Sequence, residues 1–236
     1  MLVLLLALDT SSRTGSLAVL RDEKAIGLVS SSSDEAYSSR MFRHLDFLLG
    51  ELSLELQKFE LFTVVMGPGS FTGLRVGLAA VKGWAEVYGK PVAGVSALHS
   101  IATQAVSHAQ RVVPIIDARR GEFYFASYIR EAPGLALEGE ERVGPPEELA
   151  DFLQSICAGR KCVIATPDCK LVSDALSKYS AEFPSIELAS DILAPFAGRI
   201  GREKALGGQA MDALSLDANY VRRSDSEVKL KGPKKN

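Results

Sequence analysis

The chain starts the same pattern twice. Residues 3–8 form a short unbroken apolar run that ends at Asp9, passes through a polar turn and resumes as an apolar run at 17–20. The outline returns 108 residues later, where VVPII leads into Asp117, a turn containing Gly121 and the alternating stretch EFYFASYI. Short apolar runs bounded by polar turns are strands entering a core, so each copy predicts a β-hairpin. RDEKAIGLVSSS adds a third strand to the first copy. Strand hairpins alternating with helices, given twice, predict an α/β protein of two lobes with mixed sheets.

Between the copies, Met41, Leu45, Leu48, Leu49 and Leu52 recur at helical spacing over 37–56. LFTVVMG at 61–67 is a buried-type strand that runs into a glycine loop, and a helix continues to about residue 88, where GKP breaks it. VAGVS is a further strand, with Ser96 placed to cap a helix expected to reach about residue 109. Beyond the second hairpin, helices are predicted near 147–157, 170–179 and 195–206, with the strand CVIAT between the first two.

A composition of 47% hydrophobic and 24% charged residues belongs to an ordinary globular protein rather than a disordered one. The opening apolar run stops at Asp9, well short of the ~20 residues that span a bilayer, so it predicts a buried strand and no membrane role. Cys157, Cys162 and Cys169 contain no Cys-x-x-Cys pair and stand far from His44, His99 and His108, which predicts reduced thiols, a cytoplasmic location and no metal site. Six Lys or Arg against two acids over 221–236 restrict any nucleic-acid contact to the tail, because the body of the chain is acidic.

The loop Gly67-Pro68-Gly69-Ser70-Phe71-Thr72-Gly73 lies between a strand and a helix, where free N–H groups and the helix dipole favour an anion. It matches neither phosphate motif: Leu74 stands where a P-loop needs Lys, and Thr72 where the dinucleotide fingerprint needs Gly. A tight strand-to-helix turn is the other reading. In the helix that follows, Gly73, Gly77, Ala80 and Trp84 share one face beside an apolar stripe of Leu74, Leu78, Val81 and Ala85. Glycine costs a helix about 1 kcal/mol per site relative to Ala, so the small row asks for a close neighbour. That neighbour is either the 37–56 helix of the same chain or a helix of another protein.

LALDTS, GPGSFTGLRVG, VAGVSAL, IIDARRGEFYFA and NYVRR occur in the order and spacing of the bacterial TsaB (YeaZ) family, which the chain resembles over residues 1–223. The resemblance implies an actin-like ATPase (ASKHA) fold of two ribonuclease H-like lobes, 1–108 and 109–223, with a basic disordered tail at 224–236. It further implies a non-catalytic assembly subunit of the machinery that makes threonylcarbamoyladenosine in tRNA. Such a subunit pairs with a TsaD-type transferase, or with itself as a homodimer, through helices of the first lobe. A TsaE-type ATPase belongs to the larger complex and tRNA is the substrate of the whole. The subunit has no cofactor of its own, and ATP or ADP with Mg is expected only at the assembled complex.

On this reading Tyr37, Met41, Leu45, Gly73, Arg75, Gly77, Ala80 and Trp84 are the interface candidates. Asp9, Thr10, Asp117, Arg119 and Glu122 are vestigial nucleotide-site positions, and Asp9 and Asp117 either cap their own turns or orient a magnesium-bound water. The first turn, DTSSRTGS, carries Ser11 where phosphate-wrapping members of the fold carry Gly, and no H-x-x-x-H pair is present. The chain departs from the family pattern at Tyr37, where a His is common, at Arg43 and at Ala218, where Pro is common. The competing expectations are a small ATPase or a metal-independent peptidase of the same fold, with Ser70 the nucleophile lacking a nearby base, and a tRNA-binding module acting alone.

Overall fold

The computed structural model describes residues 3–222 apart from 34, 36 and 133, so the expected tail at 224–236 lies outside the described residues. Both predicted hairpins are present, and each seeds a five-stranded sheet. The first contains β1 (Leu4–Asp9), β2 (Thr14–Arg21), β3 (Lys24–Ser32), β4 (Leu61–Gly67) and β5 (Val92–Ser96), in the order β3-β2-β1-β4-β5. The second contains β6 (Arg111–Arg119), β7 (Glu122–Glu131), β8 (Gly134–Gly144), β9 (Cys162–Thr166) and β10 (Ile186–Leu188), in the order β10-β9-β6-β7-β8.

Read from its hairpin, each sheet is the same object. Three strands meander antiparallel, and two more join the first strand in parallel on its other side. This is a ribonuclease H-like sheet built twice, the arrangement of the actin-like ATPase fold.

The helices layer these sheets. One face of the first sheet, with Leu6, Leu8, Leu17, Val19, Phe62 and Val64, packs on α1 (Tyr37–Leu52) and α2 (Phe71–Tyr88). Its other face, with Leu5, Ala7, Ala18 and Leu20, receives α6 (Ala194–Leu206). The second sheet turns Val113, Ile115, Phe123 and Phe125 toward α4 (Pro146–Cys157) and α5 (Cys169–Leu176). Its opposite face joins α3 (Ala97–Ala102) and α6 in a cluster that includes Leu98, Ile101, Val112, Tyr128, Val163 and Ile200. Thus α3 and α6 lie between the sheets, and strands apolar on both faces follow from that layering.

Helix α3 is shorter than expected, ending at Ala102 rather than near 109. Side chains from the second half of the protein take over its backbone groups. Arg130 donates to the carbonyls of Ala105, Ser107 and Ala109, and Glu187 accepts from the N–H groups of Val106 and Ser107. Distant charged groups thereby replace the helical ladder.

After α6 the chain returns along the first sheet. Met211 bridges Val92, Leu216 is fully buried, and Asn219 N donates to Met66 O at 2.7 Å. Residues 219–222 then cross toward the second hairpin. Among the described residues no helix is long and apolar enough to cross a membrane.

Candidate functional site

The hairpin turns of the two sheets face one another across a cleft of about 1000 Å³, which is also lined by residues 68–71 of the glycine loop and 219–222 of the returning segment. The glycines make room first of all for the chain itself. A Cβ at Gly69 would overlap the Ser11 carbonyl oxygen, one at Gly73 the Thr10 carbonyl oxygen, and one at Gly77 the Thr10 hydroxyl. The turn after β1 is therefore wedged against the first turns of α2. Ser70 N donates to Ser11 O at 2.7 Å, while Ser70 Oγ caps the helix by accepting from Gly73 N at 3.3 Å. A peptide carbonyl, the negative end of a dipole, takes a donor that a phosphate would need.

The carboxylate that opens this turn is sealed in. Asp9 is 0% exposed, and its Oδ1 accepts from Ser11 N at 2.8 Å and from Ser11 Oγ at 2.6 Å. Burial pushes its carboxyl up to about 6, against the pull of the Ser11 hydrogen bonds and with a smaller push from Asp191. Asp9 Oδ2, Thr10 Oγ1 and the Tyr37 hydroxyl are buried without hydrogen-bond partners. The Tyr37 ring lies where a side chain at position 15 would be, so Gly15 is required beneath it. Burial, and then the nearby Asp9 charge, raise the Tyr37 phenol. Arg40 stacks its guanidinium 4.6 Å above the Tyr37 ring and donates to Ser31 O and Arg13 O. Tyr37, the departure from the family pattern, is a core plug beside Asp9.

The second turn opens to the cleft. Asp117 Oδ1 accepts from Arg119 N at 2.7 Å, and the Arg119 guanidinium pairs with Asp117 at 3.1 Å. Arg119 and Arg120 have φ of 63° and 58° and Gly121 has φ of 78°, a run of left-handed residues that bends the rim. Arg222 reaches across to the Ala118 carbonyl at 3.0 Å and to Glu122. Tyr220 lies 5.0 Å from Phe71, Arg75 stacks 3.8 Å over the same ring, and Arg75 Nε donates to the Tyr220 hydroxyl. Glu141 accepts from Asn219, Tyr128 and Ser96, and so ties the returning segment to both sheets.

These residues do not fit a phosphate and magnesium at the first turn. Its carboxylate is sealed from the cleft, and a donor of the glycine loop is spent on Ser11. Among the described residues, no three His, Cys, Asp or Glu side chains converge as ligands, and no His, Cys or Lys lines the cleft. Ser70 Oγ is engaged in capping, His44 contacts Ser31, and His99 stacks on Tyr128 with its imidazole pushed down to about 4 by burial. Among the described residues, no histidine stands beside Ser70 in the cleft to serve as its base.

Comparison with known proteins places this geometry. A family model described as TsaD, tRNA N6-adenosine threonylcarbamoyltransferase, matches residues 17–155. The tRNA threonylcarbamoyladenosine biosynthesis protein TsaB of Haemophilus influenzae is 30% identical, over 97% of each chain. This chain belongs to the TsaB family. The crystal structure of YeaZ from Pseudomonas aeruginosa superposes with a TM-score of 0.78 at 26% identity, covering 92% of this chain and 99% of that one. A ROK hexokinase from Thermus thermophilus, at 10% identity and a TM-score of 0.50 over 86% of this chain and 99% of its own, shares the fold alone.

Of the interface candidates, Tyr37, Met41, Leu45, Gly73 and Gly77 are buried in the isolated chain. Arg75 is exposed, whereas Ala80 and Trp84 are half-buried, with Trp84 tilted against Phe62 at 5.9 Å. The outer faces of the two helices carry different residues. Phe42 is 52% exposed and Phe47 61% on α1, Val87 is 75% exposed on α2, and Gly83 faces open space. The sequence reading names neither Phe42 nor Phe47; aromatics outside the stripe of Met41, Leu45, Leu48, Leu49 and Leu52 were the available signal. It also missed Tyr220, Arg222 and Glu141, of which only NYVRR, with one aromatic and two cations, stood out.

Proposed function

We propose that this TsaB-family chain is the non-catalytic assembly subunit of the tRNA threonylcarbamoyladenosine machinery, holding a TsaD-type transferase on the outer face of α1 and α2. The observation that carries this reading is the wedged first turn. Ser11 and Thr10 occupy the space and a donor that a nucleotide-handling turn would keep free, and in doing so brace the base of α2. The braced helices present Phe42, Phe47, Gly83, Val87 and Arg75 outward, a mix of aromatic, apolar and Arg side chains suited to the centre of an interface. The match to a TsaD family model supports a pairing of like with like, in which two related lobes meet face to face. A TsaE-type ATPase and tRNA join at the assembled complex in the cytoplasm, and any nucleotide is held there with the partner's help.

The test is the solution mass of the chain alone and mixed with its TsaD-type counterpart, by light scattering. Phe42→Asp and Gly83→Arg, both on the open face, are expected to abolish the mixed complex while circular dichroism and thermal midpoint stay as in the wild type. A wild-type chain that forms no mixed complex, or variants that bind as well as wild type, would overturn the assignment. Turnover of ATP with magnesium by the chain alone, lost in Asp117→Ala, would overturn the non-catalytic part.

A further inference from the structure

At the end of the second sheet remote from the cleft, one tight turn brings two of the three cysteines together. Cys157 closes α4 and Cys162 opens β9, whose far end, Thr166, lines the cleft. Arg160 N donates to Cys157 O at 3.0 Å, and Gly159 takes φ of 66°. The Arg160 guanidinium also donates to Ile156 O at 3.4 Å. The chain thus reverses within four residues. The reversal sets Cys162 Sγ 4.0 Å from the carbonyl oxygen of Ile156, the residue bonded to Cys157. Both side chains are half-buried, with Cys157 on the margin of the Phe125, Leu153 and Ile164 cluster. Arg111, whose guanidinium is paired with Glu138, is the cross-strand partner of Cys162, and Arg160 belongs to the turn itself.

We propose that Cys157 and Cys162 are a redox-active dithiol that closes to an intramolecular disulfide by exchange with a low-molecular-weight disulfide. The turn supplies proximity, since only four residues separate the sulfurs and a hydrogen bond already closes them. Cys157 packs against the apolar cluster and Cys162 does not belong to it, and burial raises the Cys157 thiol, so the first attack is assigned to Cys162.

In that step the Cys162 thiolate attacks one sulfur of glutathione disulfide, forming a mixed disulfide and releasing one glutathione thiolate. Cys157 then gives up its proton to solvent and attacks Cys162 Sγ, expelling the second glutathione. Two protein thiols lose two electrons and two protons, and the oxidant is reduced to two thiols. Cys169, at the start of α5, has no cysteine within its own turn and is the internal control.

The experiment equilibrates the full chain in glutathione buffers of increasing oxidised fraction, quenches with an alkylating reagent and digests with trypsin, which cuts after Arg160 and Lys161. The expected product is the Cys157 peptide joined to peptide 162–170, lighter by two hydrogens than the reduced pair, with fragmentation placing the link at Cys162 and the alkyl group on Cys169 of the same peptide. Cys157→Ser is expected to accumulate glutathione on Cys162. Alkylation of Cys157 and Cys162 at every ratio to the same extent as Cys169 would overturn the proposal, and so would a link between two chains. Stable glutathione adducts in the wild type without the internal link would do the same. Accumulation on Cys157 in Cys162→Ser, with none on Cys162 in Cys157→Ser, would overturn the order of attack.

Discussion

The two hairpin turns share their opening hydrogen bond and little else. In each, an Asp in the last residues of the first strand accepts the N–H two residues on, at 2.8 Å from Ser11 to Asp9 and at 2.7 Å from Arg119 to Asp117. The first turn is then driven under α2, so that its Asp is sealed, its carbonyls press on glycines, and its charge is disfavoured. The second turn projects into the cleft, carries two arginines in left-handed conformation, and is tied by Arg222 to the returning chain. One local device therefore serves two ends. Wedged, it fixes the helices that face outward; free, it forms a charged rim.

The largest test of this contrast is a methyl group. In Gly73→Ala the new Cβ meets a backbone carbonyl, which cannot rotate away, so even after the ~1 kcal/mol helix advantage of Ala the loss is expected to reach about 3 kcal/mol by urea denaturation. Gly121→Ala in the other turn has nothing within 4 Å of the new atom and bears only the left-handed φ of 78°, so it is expected to cost about 1 kcal/mol. Equal losses would mean that the first turn is not wedged.

Next in size is the sealed carboxylate. Asp9 has its folded value raised from 3.8 to about 6, so its contribution is full below pH 4, where both states are protonated, and is lost as pH rises toward 6 and beyond. The gap corresponds to about 3 kcal/mol. Asp9→Asn keeps an acceptor for Ser11 and removes the charge, so relative to wild type it is expected to gain about 2 kcal/mol between pH 4 and pH 7. A stability difference between the two proteins that stays flat over that range would show that Asp9 is not desolvated. Asp117→Asn breaks only the exposed pair with Arg119, and the expected change in unfolding free energy is below about 1 kcal/mol.

How far the sequence could be read follows the same divide. The repeated strand, Asp and turn were legible because period and punctuation are local, and they give the hairpin that seeds each sheet. The small row Gly73 and Gly77 was legible as a face that something approaches, but periodicity reports burial and not its agent. The agent is the Thr10 and Ser11 turn, contributed by a remote strand. Helix α3 failed for a related reason: Arg130 and Glu187, which dissolve its last turns, arrive from the other sheet. Nothing local marks them. Phe42 and Phe47 stand outside the stripe that the periodicity of α1 marks, and periodicity assigns no role to residues outside the stripe.

The smallest expected effect bears most directly on function. Gly83 lies on the exposed face of α2 with nothing within 4 Å of a new Cβ, so Gly83→Ala in the isolated chain gains helix preference alone, about 0.5–1 kcal/mol in thermal or urea unfolding. If the TsaD-type partner lies along this face, a bare glycine there lets its backbone approach, and the methyl that helps the free chain intrudes on the bound one. The gain is then expected to shrink or reverse when unfolding is measured with the partner in excess, because binding adds to the stability of the folded state. A gain at Gly83 that is the same with and without the partner would place the partner elsewhere on the molecule, and would leave the wedge as a purely internal brace.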